Sequence, residues 1–174
     1  RKTKGAISAI RDLGLHCKRV SGGLPVLISP WIDGEKAVMA SAAALKKPTA
    51  VSLETHAQEW NEIFKGIQGA VDIVAFQDGH VAYEQLRSYL EVNKKLADQY
   101  GLVSWTNTES FDRDMPIKFL PIKFEKLKLK LEAAGKSEYD KAITFEFSHF
   151  MSPQSSYIQA HHLYNRYLEY INTI

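Results

Sequence analysis

A single cysteine, Cys17, is all the thiol chemistry the sequence offers, so no internal disulfide can form. A chain of 174 residues buries enough surface to fold without such staples, and Cys17 is expected to pack as a small apolar residue. An excess of one charge is also missing. The 22 basic and 20 acidic residues leave a formal charge of +2, too even a balance for electrostatic capture of nucleic acid or of an anionic membrane. Neutral or mixed ligands fit better. No apolar run approaches the roughly 18 residues needed to span a bilayer, and the opening RKTKGAISAI has no cleavable signal pattern. Localisation is not legible from these residues directly. HExxH, paired CxxC, Walker and GxSxG motifs are all absent, so zinc protease, redox, nucleotide triphosphatase and serine hydrolase readings lack their required side chains. No cofactor and no metal are expected.

What is present is an ordinary globular composition, 45% hydrophobic and 24% charged. With no linker or internal repeat, residues 1–174 read as a single domain. Four apolar runs recur: LPVLISPWI at Leu24 to Ile32, VDIVAFQD at Val71 to Asp78, LVSWTNTESF at Leu102 to Phe111, and AITFEFSHF at Ala142 to Phe150. Each reads as a strand. Between them lie helical spacings: Trp60, Ile63, Phe64 and Ile67 share one face of a helix over about Thr55 to Gln68. Tyr83, Leu86, Leu90 and Leu96 or Ala97 do so over His80 to Tyr100, where Gly101 stands as a C′ glycine. Further helices are predicted at Phe124 to Ala134 and Ser155 to Asn172, with a helix tail in the first 20 residues and a loop at Leu45 to Ser52. Such alternation predicts an α/β chain with a parallel sheet.

A parallel sheet works at the C-terminal ends of its strands, which here read SPWIDG, FQDGH, NTESF and SHFMSP. A flavodoxin-like sheet would concentrate its site at one switch point. Polar and aromatic residues at all four ends instead favour half of a closed barrel. Period 2 places Trp105, Asn107 and Glu109 on one face. An indole to stack on a sugar, an amide to bind a hydroxyl and a carboxylate to attack or stabilise an oxocarbenium-like centre suit glycoside chemistry. Glu109 is therefore the candidate catalytic carboxylate, although a solvated loop acid or a helix-capping group would look the same in sequence. Gln77 and Asp78 end the second strand, where Asp78 either orients a hydroxyl or partner or caps the helix near His80.

In the last run, alternation points Glu146 and Ser148 inward if Phe145 and Phe147 pack on helices, making Glu146 a second buried acid. His149 either reaches the site or is a core histidine. Trp31 and Asp33 offer a stacking platform and a polar contact, while Pro30 and Gly34 equally make a rigid turn. His161 and His162 are neighbours on a helix, about 100° apart, and cannot pair on a metal by helical geometry.

GLPVLISPWIDG, VDIVAFQDG, LVSWTNTESF and FEFSHFMSP, in this order and spacing, resemble the second half of the bacterial domain of unknown function 4434 family, over nearly the whole chain. That family is similar to TIM-barrel glycoside hydrolases. The resemblance implies the C-terminal half of a (β/α)₈ barrel, strands five to eight, with Glu109 ending the seventh, where retaining barrel glycosidases carry their nucleophile. Their acid/base ends the fourth strand, which would precede Arg1. It also implies export and a carbohydrate substrate. A retaining site needs two carboxyls roughly 5 to 5.5 Å apart, so the upstream half of the same barrel, or a partner chain, is expected to complete it. Two other classes stay open: a carbohydrate-binding barrel without turnover, using Trp31, Trp105 and Phe111, and a metal-assisted hydrolase drawing on Asp78, His80, Glu109 and His149.

Overall fold

The computed structural model describes residues 4–32, 52–112 and 119–173. In chain order the elements are α1 (Lys4–Val20), β1 (Leu27–Ile28), α2 (Leu53–Ile67), β2 (Ile73–Gln77), α3 (Tyr83–Gln99), β3 (Val103–Glu109), β4 (Phe111–Asp112), β5 (Leu120–Pro121), α4 (Phe124–Lys136), β6 (Lys141–Phe145), α5 (Phe147–Phe150) and α6 (Ile158–Ile171). β1, β2, β3 and β6 form one parallel sheet in that order, as strand and helix alternation predicts, while β4 and β5 make a small antiparallel pair outside it. The expected loop at Leu45 to Ser52 lies outside the described residues up to position 51.

The helices form where the apolar spacing places them. Ser52 opens α2 by accepting the Thr55 N–H at 3.2 Å, the usual work of an N-cap serine. The buried face then carries Trp60, Ile63, Phe64 and Ile67. α3 ends at Gly101, whose φ of 67° is a left-handed conformation that a side chain would resist.

Register and ring contacts assign the two faces of the sheet. Phe76 lies 5.2 Å from Trp60 and 6.1 Å from Phe64, ring centre to ring centre, so Phe76 and Val74 face α2. Thr106 pairs with Phe76 and therefore shares that face, whereas Ala75, Gln77, Trp105 and Asn107 share the other. Burial of Phe64 and Phe76 stabilises this layer by roughly 1.5–3 kcal/mol each. A second core joins α4 and α6 through Phe124, Leu127, Met151 and Leu163.

Two expected strands are shorter than their sequence runs. Leu24 to Ile32 yields a ladder only at Leu27–Ile28, because Pro30 has no N–H to donate. The contact with β2 resumes where Pro30 O accepts from Gln77 N at 2.8 Å and Gln77 O accepts from Ile32 N at 3.1 Å. Ala142 to Phe150 stops being a strand at Phe145, and Glu146 caps the short α5 by accepting the His149 N–H at 2.8 Å. This local bond competes with the ladder. The alternation expected beyond Phe145 therefore fails: Phe145 and Phe147 are exposed, and Glu146 is not a buried acid.

Among the described residues, β1 pairs only with β2 and β6 only with β3. No further described strand covers either edge, and Leu27 of β1 and Phe145 of β6 are exposed there.

Candidate functional site

The C-terminal ends of β2 and β3 meet at a buried cluster. Glu109 is 1% exposed, Asp78 3% and Lys130, from α4, 5%. Asp78 Oδ1 accepts the Glu109 main-chain N–H at 3.0 Å and the Lys130 Nζ at 3.0 Å. The same ammonium donates to the Glu109 carbonyl oxygen at 3.1 Å. Burial pushes the Asp78 carboxyl above its ordinary value of 3.8, and the Lys130 charge and the Glu109 N–H pull in the opposite direction. Asp78 does not cap α3. That helix starts at Tyr83 behind Ala82 with no side-chain cap, and the carboxylate is engaged with β3 and α4 instead.

The Glu109 carboxylate lies against Gly79, where a Cβ would fall inside the envelope of both carboxylate oxygens and of Cδ. Val81, Tyr83, Phe111 and Asp112 complete the lining with Asp78 and Lys130, and the space is about 10 Å³, room for about one water. Lys126 pairs with Asp112, and Lys126 and Lys130 stand 5.4 and 6.0 Å from the centre of the Tyr83 ring. Phe111 meets Phe150, Phe119 and Phe145 at 4.9, 5.3 and 6.2 Å. An acidic and lysine-bearing nest thus sits beside an aromatic wall.

A second polar group occupies the far face of β1, β2 and β3. Gln77 donates to Ser29 O at 2.8 Å and receives the Trp31 indole N–H, while Asn107 Nδ2 donates to Ser29 Oγ at 3.0 Å. Asn107 Oδ1 is buried without a hydrogen-bond partner, and exchanging the amide atoms would only move the deficit to nitrogen. Trp31 is 50% exposed with its ring 4.9 Å from that of His80. Trp105 lies under the Lys141 ammonium at 4.9 Å.

Glu146, Ser148 and His149 form a third group at the end of β6. The carboxylate accepts from Ser148 Oγ and His149 N and contacts His149 Nδ1. Partial burial works upward on Glu146, but the bonds from Ser148 and His149 together hold it below its ordinary value of 4.5. His149 is exposed and not a core histidine.

The expected residues thus separate into three neighbouring groups: Glu109 with Asp78, Gln77 with Asn107 and Trp31, and Glu146 with Ser148 and His149. Asp33 lies outside the described residues. Among the described residues no three His, Cys, Asp or Glu side chains are placed to hold a metal, so Asp78, His80, Glu109 and His149 do not converge as ligands. Sequence reasoning missed Lys130, Lys126, Asp112 and Ser29. The one signal for Lys130 was a lysine three residues after Leu127 on the buried stripe of α4.

A parallel α/β sheet with acidic, amide and aromatic residues gathered at its strand ends defines the class. The chain belongs to the domain of unknown function 4434 family, whose profile matches residues 1–157. It is similar, at 63% identity and a TM-score of 0.90, to a crystal structure from Bacteroides thetaiotaomicron VPI-5482 titled as that of "a putative alpha-L-fucosidase". That match covers 99% of this chain and 51% of the other, so the chain spans about half the length of the structure it resembles. No curated protein of known function matches it. No helix among the described residues is long and apolar enough to cross a membrane.

Proposed function

We propose that the chain is the C-terminal half of a (β/α)₈ glycoside hydrolase, with Glu109 as a catalytic carboxylate and α-L-fucosides as the first substrates to test. The observation that carries this reading is the placement of Glu109 at the C-terminal end of β3, beside the aromatic wall of Phe111, Phe145 and Phe150. The substrate class rests on the name given to the 63% identical protein. The half-barrel rests on two sheet edges that no described strand covers and on coverage of half the relative's length. The remaining strands, upstream in the same protein or in a partner chain, supply the second carboxylate that glycoside hydrolysis requires.

Within this reading Trp31 stacks on a sugar ring, and the unpaired end of the Asn107 amide takes a sugar hydroxyl, relieving a buried polar atom that otherwise costs about 1–3 kcal/mol. Gln77 and Ser29 hold Asn107 and Trp31 in place. Trp105, Glu146, Ser148 and His149 are assigned to the rim of the same binding surface, and Asp33 is kept as a substrate contact from its place in the sequence alone. Export remains part of the proposal and rests on the family resemblance alone.

A second reading, carbohydrate binding without turnover, is favoured by the water-sized cleft around Glu109. A carboxylate so enclosed is touched by substrate only when the cleft opens. An assay of the full-length protein on aryl glycosides, beginning with 4-nitrophenyl α-L-fucoside and controlled by Glu109→Gln, separates the two. Cleavage lost in Glu109→Gln supports hydrolysis. Equal cleavage by both proteins removes Glu109 from the mechanism, and binding on a glycan array without cleavage selects the second reading.

A further inference from the structure

Both main-chain polar groups of Glu109 end on the two members of one buried ion pair. Its N–H goes to Asp78 Oδ1 at 3.0 Å, its carbonyl oxygen takes Lys130 Nζ at 3.1 Å, and Asp78 and Lys130 meet at 3.0 Å. The three contacts close a ring that draws on the end of β2, the end of β3 and the middle of α4. The Ser110 N–H, which donates to the Phe145 carbonyl oxygen at 3.0 Å, also holds the plane that follows Glu109, and the ring adds a second bond to that plane and a bond to the plane before it. Bonds at both the N–H and the C=O of one residue fix the peptide planes on either side of it, and so the direction of its Cα–Cβ bond. Gly79, pressed on the carboxylate from one side, narrows the remaining freedom.

The ion pair is an expensive way to join a strand to a helix. An apolar pair of similar volume would avoid the desolvation of two charges, and burial does push Asp78 upward. What the charges add is direction: an ammonium can donate at once to a carboxylate and a carbonyl, which no apolar side chain can do.

We propose that Lys130, acting with Asp78, is a positioning residue that clamps the backbone of Glu109 and thereby aims its carboxylate. The proposal rests on the reading of Glu109 as the reacting group, and the test separates the two. In the full-length protein, kcat and KM on the aryl glycoside that the wild type cleaves are measured for Lys130→Met, Lys130→Arg and Glu109→Gln. Hydrogen exchange of the Glu109 amide is followed in the wild type and both Lys130 variants. Lys130→Met is expected to lower kcat at least tenfold with KM within twofold, and to speed Glu109 amide exchange at least tenfold. Lys130→Arg, which keeps the donor and the charge, is expected to recover most of both.

Should Lys130→Met fail to fold, Asp78→Asn takes its place with the same thresholds. A folded variant with kcat within twofold of wild type, while Glu109→Gln is inactive, overturns the clamp and leaves the carboxylate reading standing. Wild-type activity in Glu109→Gln overturns the carboxylate reading instead. The exchange measurement then decides alone whether Lys130 holds this backbone, and unchanged exchange overturns that as well.

Discussion

The α carbon of Gly79 lies against the carboxylate of Glu109, so closely that a methyl group there would overlap both carboxylate oxygens. Gly79→Ala is therefore expected to displace that carboxylate without altering any charge. Because the atoms met belong to the flexible end of a side chain, the stability cost should stay within the roughly 1–3 kcal/mol of overpacking. Turnover should fall as in Glu109→Gln. A crystal structure of the variant with an unmoved carboxylate, or unchanged kcat, would contradict this.

Removing one member of the Asp78–Lys130 pair strands the other in a buried site. Lys130→Met and Asp78→Ala are each expected to cost about 3–5 kcal/mol in denaturant unfolding. The double variant should cost less than the sum, because neither charge is then left alone. Strict additivity would show that the two side chains do not interact energetically.

Trp31 is half-exposed and lies outside the core, but gives its indole N–H to Gln77, so Trp31→Ala should cost no more than the roughly 1 kcal/mol typical of single substitutions. Loss of the stacking surface should weaken glycan binding roughly two- to tenfold, from the 0.5–1.5 kcal/mol typical of aromatic stacking. Isothermal titration with the sugar that the wild type binds reads this directly, and unchanged affinity would exclude Trp31 from the binding surface.

Asp72 ties α1 to the sheet through Lys18 at 2.7 Å and the Val26 N–H at 2.8 Å. The hydrogen bond from Lys18 and then that from Val26 hold its carboxyl below the ordinary value of 3.8. A lowered folded value means that the stabilisation is present above about pH 3.8 and is lost as pH falls through the folded value. Acidification below that point should loosen α1 first, seen as faster amide exchange over residues 4–20, and more gently in high salt because the pair is partly exposed. Asp72→Asn should remove this pH dependence, and a variant that keeps it would assign the effect elsewhere.

Under the half-barrel proposal, the two sheet edges that no described strand covers predict how the 174 residues behave when expressed alone. An apolar hollow of about 350 Å³ between α1, β1 and α2, lined by Ile7, Ile10, Ile28 and Trp60, adjoins the β1 edge. The isolated chain should self-associate or bind hydrophobic dyes, whereas the full-length protein should not. A monodisperse, dye-silent monomer of these residues in analytical ultracentrifugation would argue against the half-barrel.

Local periodicity by itself determined the layers of this protein. The 3.6-residue stripe of Trp60, Ile63, Phe64 and Ile67 makes α2, because burial of one face is decided within a few residues of chain, whereas β3 is buried on both faces from Thr106 to Glu109, which its polar sequence does not announce. Strand-end chemistry likewise placed Glu109, Asp78, Gln77 and Asn107 near one another, since parallel strands must end on the same side of the sheet. What the tertiary structure alone decided was partnership. Whether Asp78 caps a helix or holds Glu109 depends on where α4 brings Lys130, 52 residues away in sequence. The fate of Glu146 turned on a local competition that alternation cannot register, a side chain taking the His149 N–H and ending the strand. Long-range contacts between charged groups follow no period, so only the packing of α4 against the strand ends could reveal that both polar groups of the Glu109 backbone are held by one ion pair.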